Sequence, residues 1–106
     1  MRFLYLQGNT KVTEISAVRD WTELKDLRLS RSAVRDASPV ISLKNLQFLD
    51  LADTEGTDDL DFSAMESLEE LSLNRCGIKK LPKLPPSLTY LSAVENPLTE
   101  IGRAHV

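Results

Sequence analysis

Apolar and polar residues follow one repeating scheme along the chain. An apolar residue is followed by two variable ones, then by apolar, variable and apolar positions, two more variable positions and a small residue. Five segments fit it: Met1-Leu4-Leu6-Asn9, Leu24-Leu27-Leu29-Ser32, Leu46-Leu49-Leu51-Thr54, Leu68-Leu71-Leu73-Cys76 and Leu88-Leu91-Ala93-Asn96. Their starts at 1, 24, 46, 68 and 88 lie 23, 22, 22 and 20 residues apart. A fixed period of this size is the mark of a repeat architecture, in which one supersecondary unit recurs and each unit buries its apolar side against the next. Fifteen positions ask for a leucine-like side chain and all fifteen are apolar. The ninth position holds only Asn, Ser, Thr or Cys, side chains small enough to sit beneath a turning backbone.

The alternation of variable and apolar residues around each second leucine has period two and predicts a short strand followed by a turn. A second apolar series follows in each repeat: Val12, Ile15, Val18 and Trp21 in the first, Val34, Ala37, Val40 and Leu43 in the second. The third keeps Phe62 and Met65 but places Glu55-Gly56-Thr57-Asp58-Asp59 where its first apolar residue belongs; the fourth has Ile78, Leu81 and Leu84. A spacing of three predicts 3₁₀ or single-turn helical segments. Ser38-Pro39 reads as an N-cap followed by the first helical residue, and Ser63-x-x-Glu66 as a capping box. In the fourth repeat Pro82, Pro85 and Pro86 forbid a regular helix, so an extended or polyproline-like back is expected there.

With these residues in view, the chain resembles the leucine-rich-repeat superfamily over nearly its whole length. Val34-Arg35-Asp36-Ala37-Ser38-Pro39-Val40 is similar to the repeat type of bacterial internalins. The stretch from Ile78 to Leu88 resembles the shorter repeats of bacterial secreted effectors and, more loosely, those of plant immune receptors. The resemblance implies an α/β solenoid: a horseshoe segment of about five repeats forming a single domain over residues 1–106. A parallel β-sheet would line its concave face, with 3₁₀, short helical or extended segments on the convex face. It also implies a protein-binding scaffold.

On such a scaffold the residues between the leucines face outward on the concave side. They form three columns: Phe3, Asp26, Phe48, Glu70 and Tyr90; Tyr5, Arg28, Asp50, Ser72 and Ser92; and Gly8, Arg31, Asp53, Arg75 and Glu95. The third column alternates in sign from Arg31 to Glu95, as an ion-pair ladder between neighbouring strands requires. Four of the six aromatic residues, Phe3, Tyr5, Phe48 and Tyr90, occupy outward positions, while Trp21 and Phe62 belong to the back. Aromatic side chains beside Arg28 and Arg31 have the composition of an interface hot spot, although aromatics also favour strands for their own sake. The expected partner-binding residues are therefore Phe3, Tyr5, Arg28, Phe48, Asp50 and Tyr90, with Arg31, Asp53, Arg75 and Glu95 secondary.

Composition narrows the chemistry. One Cys and one His among 106 residues supply neither an internal disulfide nor a zinc site. Cys76 falls in the turn column and reads as a buried structural thiol; His105, the one ordinary general base, stands next to the chain terminus. Phosphate-binding glycine motifs are absent. Glu55, Asp58, Asp59 and Asp61 lack the spacing of a calcium loop and read as a solvated turn. A net charge of −3 argues against a nucleic-acid partner. No apolar run reaches the roughly 20 residues of a membrane helix, and no secretory leader opens the chain. The expectation is a non-enzymatic, cofactor-free interaction module that acts on a protein, not on a membrane. An intracellular location is expected, with delivery as a bacterial effector or inhibitor-type module open. The alternative is a structural unit, or a fragment of a longer repeat protein. It would self-associate through uncapped ends, with Met1–Leu6 as the bare edge of a homo-oligomer.

Overall fold

The computed structural model describes residues 2–8, 15–54, 57 and 60–97. Within them the chain winds into a stacked series of short strands: β1 (Phe3–Tyr5), β2 (Asp26–Arg28), β3 (Phe48–Asp50), β4 (Glu70–Ser72) and β5 (Tyr90–Ser92). They form one sheet in chain order, every neighbouring pair parallel. Parallel neighbours need a long crossover, and the second half of each repeat provides it. The register places Phe3, Asp26, Phe48, Glu70 and Tyr90 in one row and Tyr5, Arg28, Asp50, Ser72 and Ser92 in the next. Two of the three expected outward columns are thus rows of the sheet.

The same backbone device opens each strand. The carbonyl of the second repeat residue accepts two N–H groups from the following repeat: Arg2 from Lys25 and Asp26, Lys25 from Gln47 and Phe48, Gln47 from Glu69 and Glu70, and Glu69 from Thr89 and Tyr90. A three-residue turn delivers the chain to each strand, with the amides of Leu24, Leu46, Leu68 and Leu88 bonded to the carbonyls of Trp21, Leu43, Met65 and Pro85. Hydrophobic burial then fixes the rotation of every strand. The strand leucines of the three middle repeats are buried in one continuous core, together with Ile15, Val18, Val34, Ala37, Val40, Leu43, Phe62, Met65 and Ile78 from the backs of the repeats. Leu4 and Leu6 at one end and Leu88, Leu91 and Ala93 at the other are only half-buried, since each has a neighbour on one side. Met1, Asn9, Val12, Glu55, Gly56, Asp58, Asp59, Ile101 and His105 lie outside the described residues.

The convex side carries two 3₁₀ helices, Ser16–Asp20 and Ser38–Ser42, packed on one another. The expected caps are not the ones used. Ser38 lies inside its helix, and the Asp36 carboxylate accepts its N–H at 3.0 Å. In the third repeat Ser63 and Glu66 form no capping box: Asp61 accepts both the Ser63 N–H and its hydroxyl, and turns replace the helix. An aspartate two residues ahead of a serine reaches the free amide with less chain ordering than a reciprocal box, which explains why it prevails. The fourth repeat is extended, as its prolines require; Lys83 bridges in parallel to Asp61, and its carbonyl accepts the Phe62 N–H at 2.9 Å. Thr57 is fully buried and fills the interior where the third repeat lacks its first apolar residue, but its hydroxyl has no hydrogen-bond partner among the described residues.

Candidate functional site

Each strand ends in a backbone reversal that shapes the rim of the concave face. Gly8, Arg31, Asp53, Arg75 and Glu95, the third expected column, all have positive φ, between 55° and 71°. Four of these are not glycine, a conformation that costs an L-residue roughly 1 kcal/mol or more. The ladder holds three of the four there, and Gly8 with them: the amides of Gly8, Arg31, Asp53 and Arg75 donate to the carbonyls of Ser30, Ala52, Asn74 and Val94 in the next repeat. Gly8 is the one glycine among them.

The charges of this rim pair along the stack. Arg75 grips Asp53 with two hydrogen bonds of 2.8 and 3.0 Å and reaches Glu95 at 2.9 Å. The guanidinium pair pulls the Asp53 carboxyl below its ordinary pKa, and both acids push the Arg75 value up. Arg31 adds only a through-space attraction to Asp53, so the ladder runs over three residues and not four. Beneath the rim, the ninth-position side chains satisfy backbone groups. Asn96 accepts the Cys76 N–H at 2.8 Å and donates to the Leu73 carbonyl at 2.8 Å; Thr54 donates to Leu51 at 2.6 Å. The Cys76 thiol also donates to the Leu51 carbonyl, at 3.0 Å, and burial raises its pKa, which suits a structural thiol and not a nucleophile. Ser32 is the exception, a buried hydroxyl with no partner among the described residues.

The floor of the concave face is the two sheet rows. Phe3, Tyr5 and Tyr90 are 60%, 53% and 57% exposed, whereas Phe48 is half-buried between its neighbours. The largest departure from the expected surface is Asp26. It stands in an outward column yet is only 5% exposed, because its two neighbours close over it. Arg28 binds its carboxylate through Nε and Nη2 at 3.0 and 3.1 Å, and the Tyr5 hydroxyl donates to it at 3.1 Å. The guanidinium carbon of Arg28 also lies 4.9 Å from the centre of the Tyr5 ring, a cation–π contact, and Phe3 leans on Tyr5 with ring centres 6.4 Å apart. Desolvation, then the hydrogen bond and charge of Asp26, raise the Tyr5 pKa, with Arg28 opposing. Arg28 is therefore already engaged within the chain.

Farther along the sheet a depression of about 190 Å³ opens between Phe48 and Tyr90, bordered by Asp26, Arg28, Asp50, Glu70 and Ser72 over the leucines of β3 and β4. One oxygen of Asp50 accepts the Ala52 N–H at 3.0 Å. Of the expected residues the structure thus brings Arg28, Phe48, Asp50 and Tyr90 to one concavity. Phe3 and Tyr5 lie beside it at the β1 edge, and the four rim residues lie above it. Sequence reasoning overlooked Asp26 and Glu70 as members of the site. Among the described residues no cluster of His, Cys, Asp and Glu could hold a metal ion, and no helix is long and apolar enough to cross a membrane.

Known proteins share this architecture. A stretch of 75 residues, 71% of the chain, is 36% identical to mimecan of Coturnix japonica and 33% identical to mimecan of Homo sapiens, in each case over 25% of the relative. The chain thus spans about a quarter of the length of the curated relatives it matches. An internalin of Listeria monocytogenes superposes on 95% of the chain with a TM-score of 0.77 and 25% identity, covering 30% of that structure. Vertebrate and bacterial proteins stand side by side in these likenesses. The Leucine Rich Repeat family profile matches residues 67–91, and the same register recurs in all five strands. The chain belongs to the leucine-rich-repeat superfamily and is built in the internalin manner.

Proposed function

We propose that this chain is a non-enzymatic recognition module that binds a protein on its concave sheet. The superfamily generally mediates protein–protein interaction; placing the interface on this face rests on one observation above the rest. Phe3, Tyr5 and Tyr90 stand more than half exposed on rows whose spacing the backbone ladder fixes. Large rings held on a rigid sheet lose little freedom on binding, and aromatic and arginine residues dominate interface energetics. Phe48, Asp50 and Arg28 complete the surface, and Arg31, Asp53, Arg75 and Glu95 form its polar rim.

The test is affinity capture with the wild-type chain and with the Phe48→Ala/Tyr90→Ala double variant, both shown folded by circular dichroism. The reading expects the wild-type chain to retain a partner that the variant loses. Equal retention by both removes the concave face from the interface.

A second reading, assembly through repeat ends, is favoured by the half-buried Leu4, Leu6, Leu88, Leu91 and Ala93. In it the β1 edge meets another repeat unit, of a second copy or of a longer chain. Sedimentation decides: a monodisperse monomer across a wide concentration range eliminates self-association.

A further inference from the structure

We propose that the depression between Phe48 and Tyr90 receives an arginine side chain of the protein partner, an assignment that rests on the concave face being the interface. At about 190 Å³ the concavity is below the roughly 300 Å³ at which small-molecule sites begin, and it suits a single inserted side chain. Phe48, Glu70 and Tyr90 are consecutive members of one row, on β3, β4 and β5. Two strand spacings of about 4.8 Å separate the two ring-bearing positions by roughly 9.6 Å. A cation between them therefore comes within about 5 Å of both rings, inside the ~6 Å reach of cation–π attraction.

The charge around the depression asks for a cation as well. Its border holds three carboxylates, Asp26, Asp50 and Glu70, and one guanidinium, Arg28. Arg28 is committed to Asp26 by two hydrogen bonds. Asp50 spends one oxygen on the Ala52 amide. The carboxylate of Glu70, set between the two aromatic positions, forms no hydrogen bond or ion pair with the described residues. Two negative charges are thus left over, and the rim adds no net positive charge, because Arg31 and Arg75 are balanced by Asp53 and Glu95, with Arg75 bound to both acids. A planar guanidinium stacks on rings and pairs its fork with a carboxylate, which an ammonium does not do. The chain itself displays this arrangement one step away, where Arg28 lies over Tyr5 and forks onto Asp26. The second arginine would come from the partner.

The experiment is a ¹⁵N NMR titration of the folded chain with three blocked tripeptides, Gly-Arg-Gly, Gly-Lys-Gly and Gly-citrulline-Gly, at low ionic strength. The arginine peptide is expected to shift resonances of residues 48–50, 70–72 and 90. Citrulline, of like shape but uncharged, is expected to bind at least about tenfold more weakly, as are Glu70→Gln and Asp50→Asn chains towards the arginine peptide. Equal response to citrulline, equal response to lysine, shifts centred elsewhere, or no shift at all each overturns the assignment. A chain that ignores the arginine peptide yet captures a partner in a Phe48- and Tyr90-dependent way refutes the arginine pocket alone. Loss of that dependence refutes the concave-face reading itself.

Discussion

The two halves of the concave sheet use the same kinds of residue to opposite ends. On β1 and β2 an acid, an arginine and a tyrosine close on one another: Asp26 is buried, Arg28 forks onto it and Tyr5 covers both. On β3 to β5 two acids and two aromatics are set around a depression without any cation of their own to meet Glu70. Composition does not separate these halves; register does. Where the residue two positions after the acid is arginine, as at Arg28 after Asp26, the charge is answered within the chain, and where it is serine, as at Ser72 after Glu70, it is left for solvent or a partner. The acid of the first half is part of the structure, and that of the second is left on the surface.

Stability measurements sharpen this contrast. The largest effect is expected at Leu49, which lies 3% exposed beneath the boundary between the halves. Leu49→Ala removes buried methyl groups and opens a cavity, and urea denaturation should show a loss of about 3 kcal/mol. Next comes Arg28→Ala, which strands a buried carboxylate. Breaking a fully buried pair costs more, but the Arg28 side chain is 45% exposed and partly screened, so about 2 kcal/mol is expected. Glu70→Gln should stay within about 0.5 kcal/mol of the unmodified chain, because nothing in the fold depends on that charge. Equal losses for Arg28→Ala and Glu70→Gln would erase the distinction between the halves.

A spectroscopic reading isolates the first half alone. The Tyr5 pKa is raised above 10.0 by desolvation and by the hydrogen bond and charge of Asp26. The sign follows from linkage: the protonated phenol is favoured in the folded chain, so its contribution is fully present below the unfolded value and is lost as pH rises through the folded one. Ultraviolet titration of Asp26→Ala should bring the Tyr5 transition down towards the ordinary range. The smallest effect is expected at the rim. Glu95→Gln reduces one exposed ion pair of Arg75 to a neutral hydrogen bond while Asp53 keeps its grip, and the denaturation midpoint should not move measurably.

Much of this was legible in the chain. The leucine register named all five strands and their rows, because burial tolerates no slip of one residue without turning every leucine outward. The proline-rich back of the fourth repeat was equally plain, since a missing N–H cannot be hidden. Asp26 was not legible: strict alternation assigned it to solvent, and only the lateral meeting of Tyr5 and Arg28, residues far apart in sequence, closes over it. The caps were misassigned because Ser and Asp are about equally good at a helix start, and Asp36 and Asp61, each two residues ahead of a serine, take up that serine's own N–H. The left-handed column at the rim had one clue, Gly8, and four other residues that give little hint of it; for Arg31, Asp53 and Arg75 the inter-repeat ladder overrides the ordinary preference.

The claim that the concave sheet is the recognition face is tested most directly by site-specific photo-crosslinking. A photoreactive phenylalanine placed at position 90 on the sheet is compared with one at Arg19 on the convex 3₁₀ helix, in the presence of a captured partner. The account predicts adducts from position 90 and none from position 19. Adducts from position 19 with position 90 silent would contradict it.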